Sequence, residues 1–182
     1  FSGAVGGSRV LVANHNNSLS GVVTLNSAAV DNTTAWAITS TIAANLDNAS
    51  NNSTHCAMTY GGLSGDNRTF YMVIDNRTST LLYSIIDNTT ALTVSLAGTL
   101  ASTTADNLAI ATDTNGVPYV VIDNATGGAN LYRTTSLTPL GAVGLYGAVD
   151  VEVSSDNTKA GVAGISTDAA TGYPAVRVWY NE

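Results

Sequence analysis

The commonest chemistry-bearing pattern in this chain of 182 residues is an asparagine with Ser or Thr two positions on. It occurs nine times, at Asn16, Asn32, Asn48, Asn51, Asn52, Asn67, Asn76, Asn88 and Asn124. Each is an acceptor pattern for N-glycosylation, where the side-chain amide nitrogen takes the sugar. Ser and Thr supply 42 residues and Asn 18, so chance alone gives about four such patterns. The excess is organised. Eight of the 11 Asp residues, at 31, 47, 66, 75, 87, 106, 123 and 156, are followed directly by Asn, and six of those pairs continue to Ser or Thr. Asp-Asn is also ordinary turn chemistry, because both side chains bond nearby backbone and tolerate left-handed conformations. Two readings therefore stand side by side: turns alone, or turns that also carry sugar. Placement between predicted strands favours the second.

Other reactive groups are sparse. His15, in Asn14-His15-Asn16, reads as a solvated loop residue. His55 and Cys56 are adjacent, so in a strand they point to opposite faces and cannot form a nucleophile pair. Cys56 reads as a structural buried thiol. As the sole cysteine it makes no internal disulfide and no thiolate cluster. Ser64 in Gly62-Leu63-Ser64-Gly65-Asp66 misses the nucleophile elbow at its last glycine. Gly141, Gly144 and Gly147 lack the strand-to-helix context of a phosphate loop. Asp113-Thr114-Asn115-Gly116 lacks the later acidic ligand of a calcium loop and reads as a turn. Glu182 is terminal and Glu152 reads as the outward residue of an alternating strand, so no carboxylate pair for sugar hydrolysis is proposed. No catalytic residue, metal-ligand set or cofactor is assigned, and the chain is read as non-enzymatic. Trp36, Trp179, Tyr71, Tyr83, Tyr119, Tyr132, Tyr173 and Tyr180 could stack on sugar rings, but packing is the first reading for the set. Trp179 and Tyr180 alternate, so one of them faces out.

Composition narrows the partners. Charged residues are only 10% of the chain, with one Lys, five Arg and a net charge of −7. Such a surface cannot line a phosphate backbone, and it is repelled by anionic membranes. No apolar run approaches the roughly 18 residues of a membrane span. Patterned apolar runs and a mean hydropathy of +0.16 argue against disorder. The chain begins at Phe1 without Met, which is expected of a processed secreted protein or a piece of a longer one.

The elements that must position these asparagines are strands. Apolar, β-branched runs occupy Arg9–Ala13, Gly21–Leu25, Ala35–Thr41, Thr54–Tyr60, Thr69–Ile74, Thr80–Ile86, Ala91–Leu96, Asn107–Thr112, Val117–Ile122, Ala129–Thr134, Val149–Val153, Lys159–Ile165 and Tyr173–Tyr180. Turn signals return about every 8–14 residues, and no helical period appears, so the fold class is all-β. Asn115-Gly116 reads as a tight hairpin turn, and Asp156–Lys159 holds the corresponding place later. Pro118 and Pro174 stand at strand starts, where a missing donor costs least.

The chain also echoes itself. Phe70–Thr78 (FYMVIDNRT) resembles Pro118–Thr126 (PYVVIDNAT) at an offset of 48, and Asn107–Ile122 resembles Val149–Ile165 at an offset near 42. A period in the forties with four strands per unit suits a β-propeller blade. The stretch from Asp106, DNLAIATDTNGVPYVVIDNATGGANLYRTTSLTPLGAVG, resembles a blade of the degenerate repeat propellers found in secreted proteins. Those blades pair a strand ending in an Asp-x-Asn-Gly-like turn with a Pro-Tyr-Val strand and then two outer strands. The resemblance implies a fold and carries no catalytic residue.

One all-β domain over 1–182 is expected, with repeat-like units at 8–51, 52–98, 105–144 and 148–182. The last unit is short of a fourth strand. Phe1–Gly7, with Ala4-Val5-Gly6, resembles Leu140–Gly144, with Ala142-Val143-Gly144. It is therefore expected to complete the last of about four blades, within its own chain or in a neighbour by strand exchange. A β-sandwich or jelly roll is the alternative architecture. The function expected is an extracellular or cell-surface structural protein, N-glycosylated, whose partners are copies of itself in a filament, fibril or layer. The alternative is a carbohydrate-binding or adhesive module.

Overall fold

The computed structural model describes residues 2–15, 22–30, 38–43, 56–76, 79–101, 105, 107–124, 128–133, 138–143, 146–167 and 170–180. They form fifteen strands and no helix. The strands are β1 (Ser2–Gly6), β2 (Arg9–His15), β3 (Val22–Ala29), β4 (Ile38–Ala43), β5 (Cys56–Ser64), β6 (Asn67–Asp75), β7 (Thr80–Asp87) and β8 (Leu92–Ala101), followed by β9 (Asn107–Thr112), β10 (Pro118–Asn124), β11 (Gly128–Arg133), β12 (Thr138–Val143), β13 (Tyr146–Val153), β14 (Ala160–Thr167) and β15 (Pro174–Tyr180). Each of the thirteen apolar runs overlaps one strand. The two further strands, β1 and β12, are short and rich in Gly, Ala and Pro, so they carry little β-branched signal.

The strands build four antiparallel meanders: β1-β2-β3-β4, β5-β6-β7-β8, β9-β10-β11-β12 and the three-stranded β13-β14-β15. Every sheet runs in sequence order, without the crossover of a jelly roll. The first strands adjoin in succession, β1 beside β5, β5 beside β9 and β9 beside β13. The sheets thus follow one another as blades do, with no closed barrel among the described residues.

Period-two alternation decides which sheet meets which. Leu11, Ala13, Val23 and Leu25 of the first sheet pack on Phe70, Met72, Ile74, Tyr83 and Ile85 of the second. Successive strand residues point to opposite faces, so the other face of β6 and β7 presents Val73 and Leu82. These pack on Val120, Ile122 and Tyr132 of the third sheet. Its opposite face, with Tyr119, Val121 and Leu131, packs on Val151, Ala160 and Val162 of the fourth. The two middle sheets are buried on both faces, which is why β6 and β10 read as near-continuous apolar runs. Burying each such large side chain contributes about 1.5–3 kcal/mol. Tyr71 and Tyr119, matched by the internal echo, sit on second strands and turn toward the following sheet in both cases.

Two expectations need correction. Ser2–Gly6 does not complete the fourth sheet. It pairs with its own neighbour, in the register Ser2↔Ala13 to Gly6↔Arg9. The physical cause is local. Gly7 adopts φ 58°, which closes a two-residue hairpin at little entropic cost, and the first sheet then has its four strands. The likeness of Ala4-Val5-Gly6 to Ala142-Val143-Gly144 is one of composition only, because β12 is an outer fourth strand and β1 an inner first strand. The first unit therefore opens at β1, not at residue 8.

Candidate functional site

The β7–β8 turn gives the clearest view of an acceptor asparagine. Asp87 ends β7 and accepts the Thr89 N–H at 2.8 Å. Asn88 Oδ1 accepts from the Thr90 N–H at 3.1 Å, the Thr90 hydroxyl at 2.9 Å and the Ala91 N–H at 2.8 Å. The Asn88 N–H donates to the Ala91 carbonyl at 3.2 Å and closes the turn. Thr89 is held at φ 73°, a left-handed conformation that a β-branched residue rarely adopts. Asn88 is exposed. Its carbonyl oxygen is thus used inside the turn, and the hydroxyl of the acceptor pattern is one of the donors.

Asp87 also anchors the turn to the core. Its carboxylate is fully buried and accepts from Arg9 Nε of β2 at 2.9 Å and from the Ser27 hydroxyl of β3. Arg9 Nη2 donates to Ser27 Oγ at 2.9 Å. Burial pushes the Asp87 carboxyl up. The hydrogen bonds from Ser27, Arg9 and Thr89, with the guanidinium charge, outweigh burial and hold its pKa below the usual 3.8. Asp87 thus joins the first sheet to the second, a role the sequence reading missed. Its partners lie 60 and 78 residues away, and no local pattern marks them.

The other acceptor positions differ in setting. Asn67 starts β6, opposite Ser64 across a two-residue turn, and is exposed. Arg68, beside it, pairs in register with Asp87, so Asn67 and Asn88 lie at the same end of the second sheet. Asn76 is half-buried at the opposite end, where its Oδ1 accepts the Ser79 N–H at 2.7 Å. Asn124 ends β10 opposite Gly128. Asn16, Asn32, Asn48, Asn51 and Asn52 lie outside the described residues.

Two further Asp-headed turns bond to each other across the third and fourth sheets. Asp113 Oδ1 accepts from the Asn115 N–H at 2.9 Å and the Val117 N–H at 2.8 Å, and the Gly116 N–H donates to the Asp113 carbonyl. Only Gly116 is left-handed, at φ 75°, so this is a three-residue turn with a glycine bulge rather than a two-residue Asn-Gly turn. A Cβ on Gly116 would strike the Gly61 carbonyl oxygen of the second sheet. The β13–β14 turn answers it. Asn157, at φ 59°, accepts the Thr114 N–H at 2.8 Å and donates to the Thr114 hydroxyl at 2.6 Å. Hydrogen bonds from Ser154 and Thr158 lower the exposed Asp156 carboxyl to about 2.

Among the described residues no group of three or more His, Cys, Asp and Glu could hold a metal ion. The side chain of His15, all of His55 and Trp36 lie outside them. Cys56 is half-buried against the core, and burial pushes its thiol pKa up. Ser64 and Glu152 are exposed. Trp179 packs on the core while Tyr180 is 60% exposed, so Tyr180 is the outward member of that pair. Tyr71 lines a cleft of about 370 Å³ between the second and third sheets, with Ser84, Asn115 and Pro118. No helix is long and apolar enough to cross a membrane. No protein-family model matches the chain, and none of the curated proteins matches it.

Proposed function

We propose that this chain is an extracellular structural protein, N-glycosylated and self-assembling into a filament, fibril or surface layer, with no enzymatic role. The observation that carries the reading is the acceptor turn at Asn88. It joins an exposed asparagine, an engaged Thr90 hydroxyl and a rigid anchor at Asp87. Asn67 stands exposed at the same sheet end, so sugars there would project from strand ends and leave the packed faces undisturbed. Glycan hydroxyls would also supply hydration that charged side chains, at 10% of the chain, supply sparingly. Strand exchange by the first segment is not part of the proposal, since β1 is paired in its own sheet.

The test is intact-mass measurement after secretion from a glycosylating host. The reading expects a mass above 18.6 kDa that falls by one glycan in Asn88→Gln and by another in Asn67→Gln. A bare mass of 18.6 kDa would refute it. A second reading, a carbohydrate-binding or adhesive module, is favoured by the cleft holding Tyr71, Ser84 and Asn115. An aromatic face beside amide and hydroxyl groups suits a sugar ring. A glycan array on which Tyr71→Ala binds as the parent chain does, or on which nothing binds, removes it.

A further inference from the structure

We propose that the outer face of the fourth sheet is a docking surface for the outer face of the first sheet of a second copy, joining copies head to tail. The proposal rests on the self-assembly reading and names its interface.

Four of the nine large apolar side chains that stand exposed among the described residues lie on that face. Val176 is 80% exposed, Tyr180 60%, Val178 53% and Ile165 38%. The register places Ile165 opposite Val176, Ala163 opposite Val178 and Gly161 opposite Tyr180, so they share one surface. Asp150 and Glu152 of β13 border it across a shallow groove of about 190 Å³. An apolar centre with a charged rim is the anatomy of an interface. The other three sheets carry a fourth strand beyond the third, whereas β15 is the last strand of its sheet among the described residues.

The stacking inside the chain identifies the occupant. Three times, one sheet presents a face to the opposite face of the next. Two faces of this series are left over: that of Gly161, Ala163 and Ile165 at one end, and that of Val5, Val10 and Val12 at the other. Val5 pairs with Val10 in register, and Val5 is 62% exposed. If these faces met within one chain, Val5 and Val176 would be buried, and both are exposed. A second copy continues the series. The contact uses two different patches and leaves one of each free, so it propagates rather than closes.

Two substitutions at exposed positions separate the outcomes. Val176→Asp disables one face and Val5→Asp the other, with circular dichroism melts showing that both variants fold. By sedimentation velocity, the parent chain should grow with concentration beyond dimers, and each variant alone should associate at least tenfold more weakly. An equimolar mixture of the two variants should form dimers and nothing larger, because each retains the face the other lost. If the parent assembles and both variants assemble equally well, this interface is wrong while self-assembly stands. If Val176→Asp blocks assembly and Val5→Asp does not, the occupant is the same face of a second copy, and the head-to-tail arrangement is overturned. A parent chain that stays monomeric at every concentration, glycosylated and bare, overturns both this interface and the self-assembly reading.

Discussion

Arg9→Ala should be among the most damaging single substitutions in this protein, because it strands a buried carboxylate. Asp87 has no exposed surface, and Arg9 is 7% exposed. Without the guanidinium, Asp87 keeps only neutral donors, the Ser27 hydroxyl and the Thr89 N–H. The lost hydrogen bond to a charged partner is worth about 1.5–3 kcal/mol, and the uncompensated buried charge brings the total to about 3–5 kcal/mol. For a chain of this size that lowers the melting midpoint by about 6–20 °C. Urea denaturation followed by circular dichroism reads the loss, and two controls make the reasoning refutable. Replacing the pair together, Arg9→Met with Asp87→Leu, should cost clearly less than the sum of the single changes, by about 2–3 kcal/mol. The pH dependence has a required sign. Asp87 has a folded pKa below its ordinary 3.8, so its contribution is fully present above 3.8 and fades as pH falls through the lower folded value. The gap between the parent and Asp87→Asn should therefore narrow only below about pH 4. Single substitutions costing under about 1 kcal/mol that add without coupling, or a gap flat down to pH 2, would refute the junction.

Four further outcomes are expected. Gly116→Ala should cost about 2–4 kcal/mol in urea, through a left-handed φ and a collision with the Gly61 carbonyl. Gly172→Ala, with a similar φ of 71° and open space around it, should cost only about 1–2 kcal/mol, so equal losses would contradict the packing. Thr89→Gly should stabilise by about 0.5–1 kcal/mol by relieving a β-branched left-handed residue, and a loss in thermal melts would show that the Thr89 side chain is needed. In a carbon-detected NMR titration Asp156 should titrate near 2 and Ser154→Ala should move it toward 3.8; a value unmoved by that change would remove Ser154 as its cause.

The strands were legible because their signal is local. Alternating or continuous apolar runs between Asp, Asn and Gly turns need no distant partner to be read, and thirteen of the fifteen strands carry them. β1 and β12 do not, since Gly, Ala and Pro make strands by pairing rather than by side-chain preference. The Asp-Asn pairs at 66, 87 and 156 were equally visible as turns, and the alternation of Trp179 and Tyr180 was readable from their spacing alone.

Pairing and burial are set by contacts distant in sequence, and only the tertiary structure decided them. It placed Ser2–Gly6 on its own neighbour, because a left-handed Gly7 makes the short loop cheaper than any long closure. It tied Asp87 to Arg9 and Ser27, turning a turn residue into the junction of two sheets. It also separated the acceptor asparagines, with Asn67 and Asn88 exposed at one sheet end and Asn76 engaged at the other. The sequence by itself determined an all-β chain of low charge with acceptor patterns at its turns. The sheet order, and with it the bare apolar face of the fourth sheet, follows from which strand edges and faces find partners, and only the folded chain settles that.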